Sequence, residues 1–266
     1  MKNAKDSLLW KIEWESSSFS SYLFGTMHST DNRAFKSIEP ILSYIENCQA
    51  YAAEYNLNQF DLQAYQTIRD LDSDQFLGQL WTKKKCDKLS KLLKKRLDIQ
   101  FQDIEFKKPI WLVQQISALL MRENQGVNLD QYLFEFAQDK FRNMGGLEDF
   151  HDQLATMQKI PVSSQLKVLD KILHQFSSFR KQIEKTIDLY DQGKSVELYK
   201  VVRKSSGGMR RILIDERNKK MTRKFIEISR EQSLFASVGA AHLRGHQGML
   251  RLLKKAGAQV SPVIYK

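Results

Sequence analysis

The sequence predicts an α/β fold: a single domain, residues 1–266, whose sheet is assembled from the N- and C-terminal segments of the chain, with a large helical insertion over the cleft, residues 59–140. Three observations predict it. Ser21-Tyr-Leu-Phe-Gly-Thr-Met-His28 is an aromatic and aliphatic run stopped by Gly25, the pattern of a buried strand ending in a tight turn, with His28 three positions further on. Ser233–Val238 is a second apolar run, and it leads into Gly239-Ala-Ala-His242. Between these ends, apolar residues recur at the three-and-four spacing of helices. Two strands that each end in Gly-x-x-His imply one site built from both ends of the chain.

The elements follow in order. Leu8–Trp14 and Ser20–Gly25, joined by Ser16-Ser17-Ser18, read as a hairpin. Pro40 fits the first turn of a helix running to about Asn47. Gln49–Tyr55 is a strand of small and aromatic residues with Glu54 near its end. Helices are expected over Gln59–Arg69, Lys83–Leu97 and, after Pro109, Ile110–Glu123; Asn128 or Asp130 caps another to Lys140. Phe141–Leu147 is a short strand into Glu148, with a helix behind it. Leu166, Leu169, Leu173, Phe176, Ile183 and Ile187 keep one buried face along a helix from Ser163 to about Tyr190, stopped by Gly193. A shorter helix to about Val202, the loop Ser205–Gly208, and a helix capped by Asp215 that runs from Arg217 to Arg230 follow. The strand Ser233–Gly239, a helix Gln247–Ala256 and a last strand Gly257–Ile264 close the chain.

Composition sets the class. With 266 residues, 42% hydrophobic and 11% aromatic, the chain has ample material for a core, and its 4 prolines and 12 glycines leave little room for linkers. Cys48 and Cys86 give neither a disulfide framework nor a metal-ligand spacing. No stretch approaches the roughly 20 apolar residues of a membrane span. The N-terminus as written leads straight into the first strand without a signal peptide, so the expectation is a cytoplasmic protein, or an exported one whose leader has been removed. The net charge of +11 is local. Residues 83–96 hold eight Lys/Arg against Asp87, and residues 203–224 hold nine against Asp215 and Glu216, each a net +7. Such clusters suit nucleic acid or anionic lipid heads. No nucleic-acid module accompanies them, and Cys86, Leu89, Leu93 and Leu97 make the first cluster the solvated face of a helix, so no nucleic-acid partner is expected.

Neutral imidazole ligates divalent metals and carboxylate completes such a set. His28 and His242, delivered by strand ends, would supply two nitrogens; Glu54 and Glu148, at further strand ends, could each be a ligand or the general base. Glycine ahead of each histidine would let the backbone turn sharply beside an ion. Such an ion acidifies bound water and polarises a carbonyl, which points to hydrolysis. Arg217 could hold a substrate carboxylate or an oxyanion, or brace Glu54 or Glu148 as an ion pair. His246 forms His-x-x-x-His with His242, but Gly245 makes it a loop residue; His151 and His174 read as ordinary helical polar residues.

Leu8-Leu-Trp-Lys-Ile12 with Tyr22-Leu-Phe-Gly-Thr-Met-His28 resembles the opening of the TraB/GumN family, which includes the Tiki-type metalloproteases. Arg217-Asn218 and Val238-Gly-Ala-Ala-His-Leu243, with Gly245 and Gly248 behind, resemble its closing motif; Ala53-Glu54, Asp130 with Leu133 and Ala137, and Gly146-Leu-Glu148 agree in the middle. The resemblance implies a divalent-metal-dependent hydrolase of peptide or protein substrates, with manganese or cobalt, or else zinc, held by His28, His242 and Glu54, and with Glu54, Glu148, Arg217 and Asn218 as catalytic candidates. The runner-up, found among TraB-type relatives, is a non-catalytic protein that binds and sequesters a signalling peptide, which need not keep all of His28, Glu54 and His242. Ala241 stands where the family has Gly, narrowing the site, and Arg244 where it has Pro, adding a charge near its mouth.

Overall fold

A computed structural model describes residues 6–72, 75–121, 126–141 and 144–265. Apolar runs buried on both faces set its first strands. In β1 (Leu9–Glu13) Leu9 and Ile12 are fully buried, and in β2 (Ser20–Thr26) so is Leu23. The two pair antiparallel, Leu9 opposite Phe24 and Glu13 opposite Ser20. β3 (Ala50–Tyr55), β4 (Met144–Glu148), β5 (Leu234–Gly239) and β6 (Gln259–Pro262) complete one six-stranded sheet in the order β4-β3-β5-β2-β1-β6. Both chain ends supply the sheet, as the sequence predicts, and the fold is a mixed α/β one.

β2, β5, β3 and β4 run parallel, so their carboxyl ends share one edge. From β3 the chain goes on to β4 on one side, and from β5 to β6 on the other. The reversal lies between β3 and β5, and in open α/β sheets such a switch point leaves a crevice outside the strands' carboxyl ends. The β3–β5 ladder stops at Ala52 opposite Ala236, before that edge.

The chain divides into two compact units. One, Met1–Phe60, Glu123–Gln153 and Thr186–Lys266, contains the sheet. Its core stacks Tyr51 on Phe235, centroids 6.1 Å apart, and takes in Ile41 and Ile45 of helix Ile38–Glu46, Leu133 and Phe134 of helix Leu129–Gln138, and Met221 and Phe225 of helix Arg217–Glu231. The other, Asp61–Arg122 and Leu154–Lys185, is helical. There Leu89 and Leu93 of helix Lys83–Leu97 share a core with Leu112 and Ile116 of helix Pro109–Leu120 and Leu169 of helix Val162–His174. The Gln165 side chain ties the two segments, accepting from Ile110 N at 3.2 Å and donating to Ile160 O at 2.9 Å.

Several boundaries differ from expectation. The helix expected from Ser163 to Tyr190 is two, Val162–His174 and Phe176–Asp191, broken at Gln175, whose φ of −127° is not helical. No proline or glycine marks the break, and the apolar spacing runs through it unchanged. Helix Leu62–Arg69 starts later than Gln59 because Asp61 caps it, accepting from Ala64 N, while Leu57–Gln59 is a separate 3-10 turn. Asp215 caps nothing: it pairs with Arg210 at 3.0 Å inside a π-helical turn, Arg211–Glu216, that leads directly into Arg217. Residues 122–123 of the expected Ile110–Glu123 helix and 142–143 of the expected Phe141–Leu147 strand lie outside the described residues.

Candidate active site

Four strand ends carry the chemistry. Where the β3–β5 ladder stops, the Glu54 side chain takes over: its Oε2 accepts from the Gly239 N–H at 3.1 Å. Gly239 leads into a 3-10 turn, Ala240–His242, which brings the buried His242 ring back over the strand end, with Nε2 at 3.7 Å from Glu54 Oε2. Glu148, at the end of β4 beside β3, is also buried.

Helix Arg217–Glu231 braces this edge with its first two residues. Arg217 Nε donates to both Glu148 oxygens at 2.9 and 3.1 Å, its Nη2 bridges Glu148 Oε1 and Glu54 Oε1, and its Nη1 reaches Leu213 O at 3.3 Å. Of the roles open to Arg217 from sequence, the structure shows the ion pair, with both glutamates at once. Asn218 Nδ2 donates to Gln247 O at 2.7 Å, so its Oδ1 must accept, and it lies 2.6 Å from His242 Nδ1. That partner fixes the tautomer: Nδ1 carries the proton, and the Nε2 lone pair faces Glu54.

Electrostatics sharpen the contrast between these groups. Burial pushes Glu54 up, but the Arg217 charge, His242, the Gly239 N–H and the Arg217 hydrogen bond outweigh it and hold the carboxyl at about 2. Burial, with Arg217 adding to it and Glu54 opposing, takes His242 down to about 4, so the ring is neutral at pH 7. Glu148 is raised, because burial and the nearby Glu54 charge exceed what Arg217 returns. Glu54 is thus a fixed anion and a weak base.

His28 makes no direct bond with this group, though the Glu54 charge reaches it. Its ring is exposed, and Nδ1 lies 3.5 Å from Asp130 Oδ2, while Thr26 Oγ1 donates to Asp130 Oδ1. The Asp130 hydrogen bond raises the His28 pKa, with the Asp130 and Glu54 charges adding to it. Among the described residues, no hydrogen bond or ion pair joins His28 to Glu54 or His242. Nor does any group of three or more His, Cys, Asp or Glu side chains that could hold a metal ion occur among them. In kind the donors fit a divalent ion, a neutral imidazole lone pair beside an ionised carboxylate; in number, two of the three expected ligands stand together.

Two glycines act otherwise than expected. Neither Gly25 nor Gly239 has a positive φ. A Cβ on Gly25 would come 2.5 Å from Leu243 Cδ1 and 3.1 Å from Ala240 Cα, so the first motif lacks a side chain because the second packs against it. His246 is an exposed loop residue, as its context predicts. Arg244 lies over the Trp10 ring, 4.4 Å from its centroid, and donates to Ser195 Oγ at 2.9 Å. Sequence reasoning missed Gln153, whose Nε2 donates to Glu54 Oε1 at 3.0 Å, and the pairing of Asp130 with His28. Asp130 left a signal, a carboxylate just inside a helix capped by Asn128 and off its apolar stripe; Gln153, one polar residue on a helical turn, left none.

An α/β fold on a mixed sheet, with a histidine, two glutamates and an arginine gathered at its switch point, defines the broad class. Residues 8–262 match the TraB/PrgY/gumN family, and the chain belongs to that family. No curated protein and no solved structure matches it.

Proposed function

We propose that the protein is a divalent-metal-dependent hydrolase acting on peptide bonds. One observation carries this function: the Gln247–Asn218–His242 chain aims an unprotonated imidazole nitrogen at an ionised carboxylate, at the carboxyl edge where this fold receives ligands. His242 and Glu54 would hold the ion, manganese, cobalt or zinc, with His28 as the third ligand implied by the family pattern. When bound, such an ion polarises a carbonyl and acidifies water. The chain's own residues do the rest. Asn218 holds the His242 tautomer, Arg217 keeps Glu54 anionic, and Glu148, the more basic carboxylate, is the group suited to move a proton.

A second function, peptide binding without cleavage, is favoured by the Arg217 clamp, which engages both glutamates at once. Mass spectrometry of a peptide library incubated with manganese, cobalt or zinc, alongside metal analysis of the dialysed protein, separates the two. Hydrolysis predicts metal-dependent products that vanish with chelator and in His242→Ala. Peptide affinity indifferent to chelator, with no product under any metal, would sink the hydrolase and leave the binding protein.

A further inference from the structure

The two basic clusters, alike in charge, differ in what they face. In the second, Arg210, Arg211, Lys220 and Lys224 are paired with Asp215, Glu216, Asp152 and Glu227, Arg217 is spent within the site, and the exposed Arg203, Lys204, Lys219 and Arg223 are divided between helices Ser195–Ser205 and Arg217–Glu231. In the first, helix Lys83–Leu97 buries Cys86, Leu89 and Leu93 and turns Lys84, Lys88, Lys91 and Lys95 outward. At the helical repeat these four fall within about 60° of one another, opposite the buried face. Lys85 and Lys94 have partners, in Asp170 and Asp98, but among the described residues none of the four outward lysines forms an ion pair. Aligned like charges repel, so the stripe is a cost to the free protein that an anionic partner would remove.

We propose that the outer face of helix Lys83–Leu97 is an electrostatic docking surface for an anionic lipid bilayer. Charge complementarity selects an anion, and the chemistry of the stripe favours a lipid surface over nucleic acid. All four outward cations are lysines, point charges suited to a diffuse headgroup field rather than to the forked recognition of individual phosphates that arginine gives.

Co-sedimentation of the 266-residue chain with phosphatidylcholine vesicles, with and without phosphatidylserine, tests this. Binding is expected to the anionic vesicles alone and to fall away by about 0.5 M salt, where screening reaches a few ångströms. Each lysine near such a surface is worth about five-fold in affinity, so Lys84, Lys88, Lys91 and Lys95→Gln together should weaken binding by two to three orders of magnitude. Changing Lys219 and Arg223 to Gln in the other cluster should not. All four outward lysines are exposed, so the thermal midpoint should hold, and the salt titration of the unaltered protein is independent of it. Equal binding to neutral vesicles, undiminished binding by the quadruple variant, or tighter binding to a labelled duplex or single-stranded oligonucleotide at the same ionic strength would each overturn the proposal.

Discussion

Asn218 shows how much one side chain decides. By spending its N–H on Gln247 O it can offer His242 only an acceptor, and the imidazole must present a bare Nε2 to Glu54. Asn218→Ala leaves the buried Nδ1–H unpaired, which costs about 1–3 kcal/mol of stability by urea denaturation. If Nε2 is a metal ligand, ion occupancy should fall with it. Asn218→Asp keeps an acceptor and should recover most of the occupancy. Glu54 is held at about 2, too acidic for a strong base, so Glu54→Gln should lower metal content and turnover together. Normal occupancy in Glu54→Gln, with a rate reduced about 100-fold or more, would instead make Glu54 the proton carrier.

Among the elements, the two Gly-x-x-His turns depend on one another. Gly25 of β2 lies against Ala240 and Leu243 of the second turn, so Gly25→Ala forces that turn away from the strand and should cost about 1–3 kcal/mol. Gly239 is the contrast: a Cβ there meets Glu54 Oε2 and His242 Cδ2 at 3.5 Å, ordinary contact, and Gly239→Ala should stay within about 0.5 kcal/mol. Equal destabilisation by both substitutions would refute the packing role of Gly25. The helical elements make a second case. Since Leu169, Leu173 and Gln165 complete the core formed by 61–122, that segment expressed alone should lack a cooperative melt, and adding 154–185 should restore one.

For the whole molecule, the buried site makes stability depend on pH. His242 titrates at about 4 in the folded chain against 6.5 in the open one, so between those values the unfolded state binds more protons. Its contribution is complete above pH 6.5 and disappears as the pH falls through 4, a loss of up to about 3 kcal/mol in the metal-free protein. Glu54, lowered from 4.5 to about 2, extends the loss to lower pH, while Glu148, raised, works in the opposite sense. Urea midpoints followed from pH 7 to 4 should decline, and His242→Asn should flatten that decline. An unchanged slope in His242→Asn would assign the acid sensitivity elsewhere.

Local patterns were legible where they are self-contained. The apolar runs ending in Gly25 and Gly239 marked two strands, the small-residue run before Glu54 a third, and the lysine helix declared its buried face through Cys86, Leu89 and Leu93. The family pattern singled out Arg217 and Asn218 but left their partners open. Those partners depend on strand order, because only the reversal between β3 and β5 sets Glu54 beside Gly239 and within reach of one arginine that also holds Glu148. The break at Gln175 was equally hidden, since a kink of one residue leaves the apolar period intact. Sequence alone determined which residue types stand at the strand ends. Tertiary structure decided which of them touch, because a hydrogen bond between residues 163 positions apart has no periodicity to read.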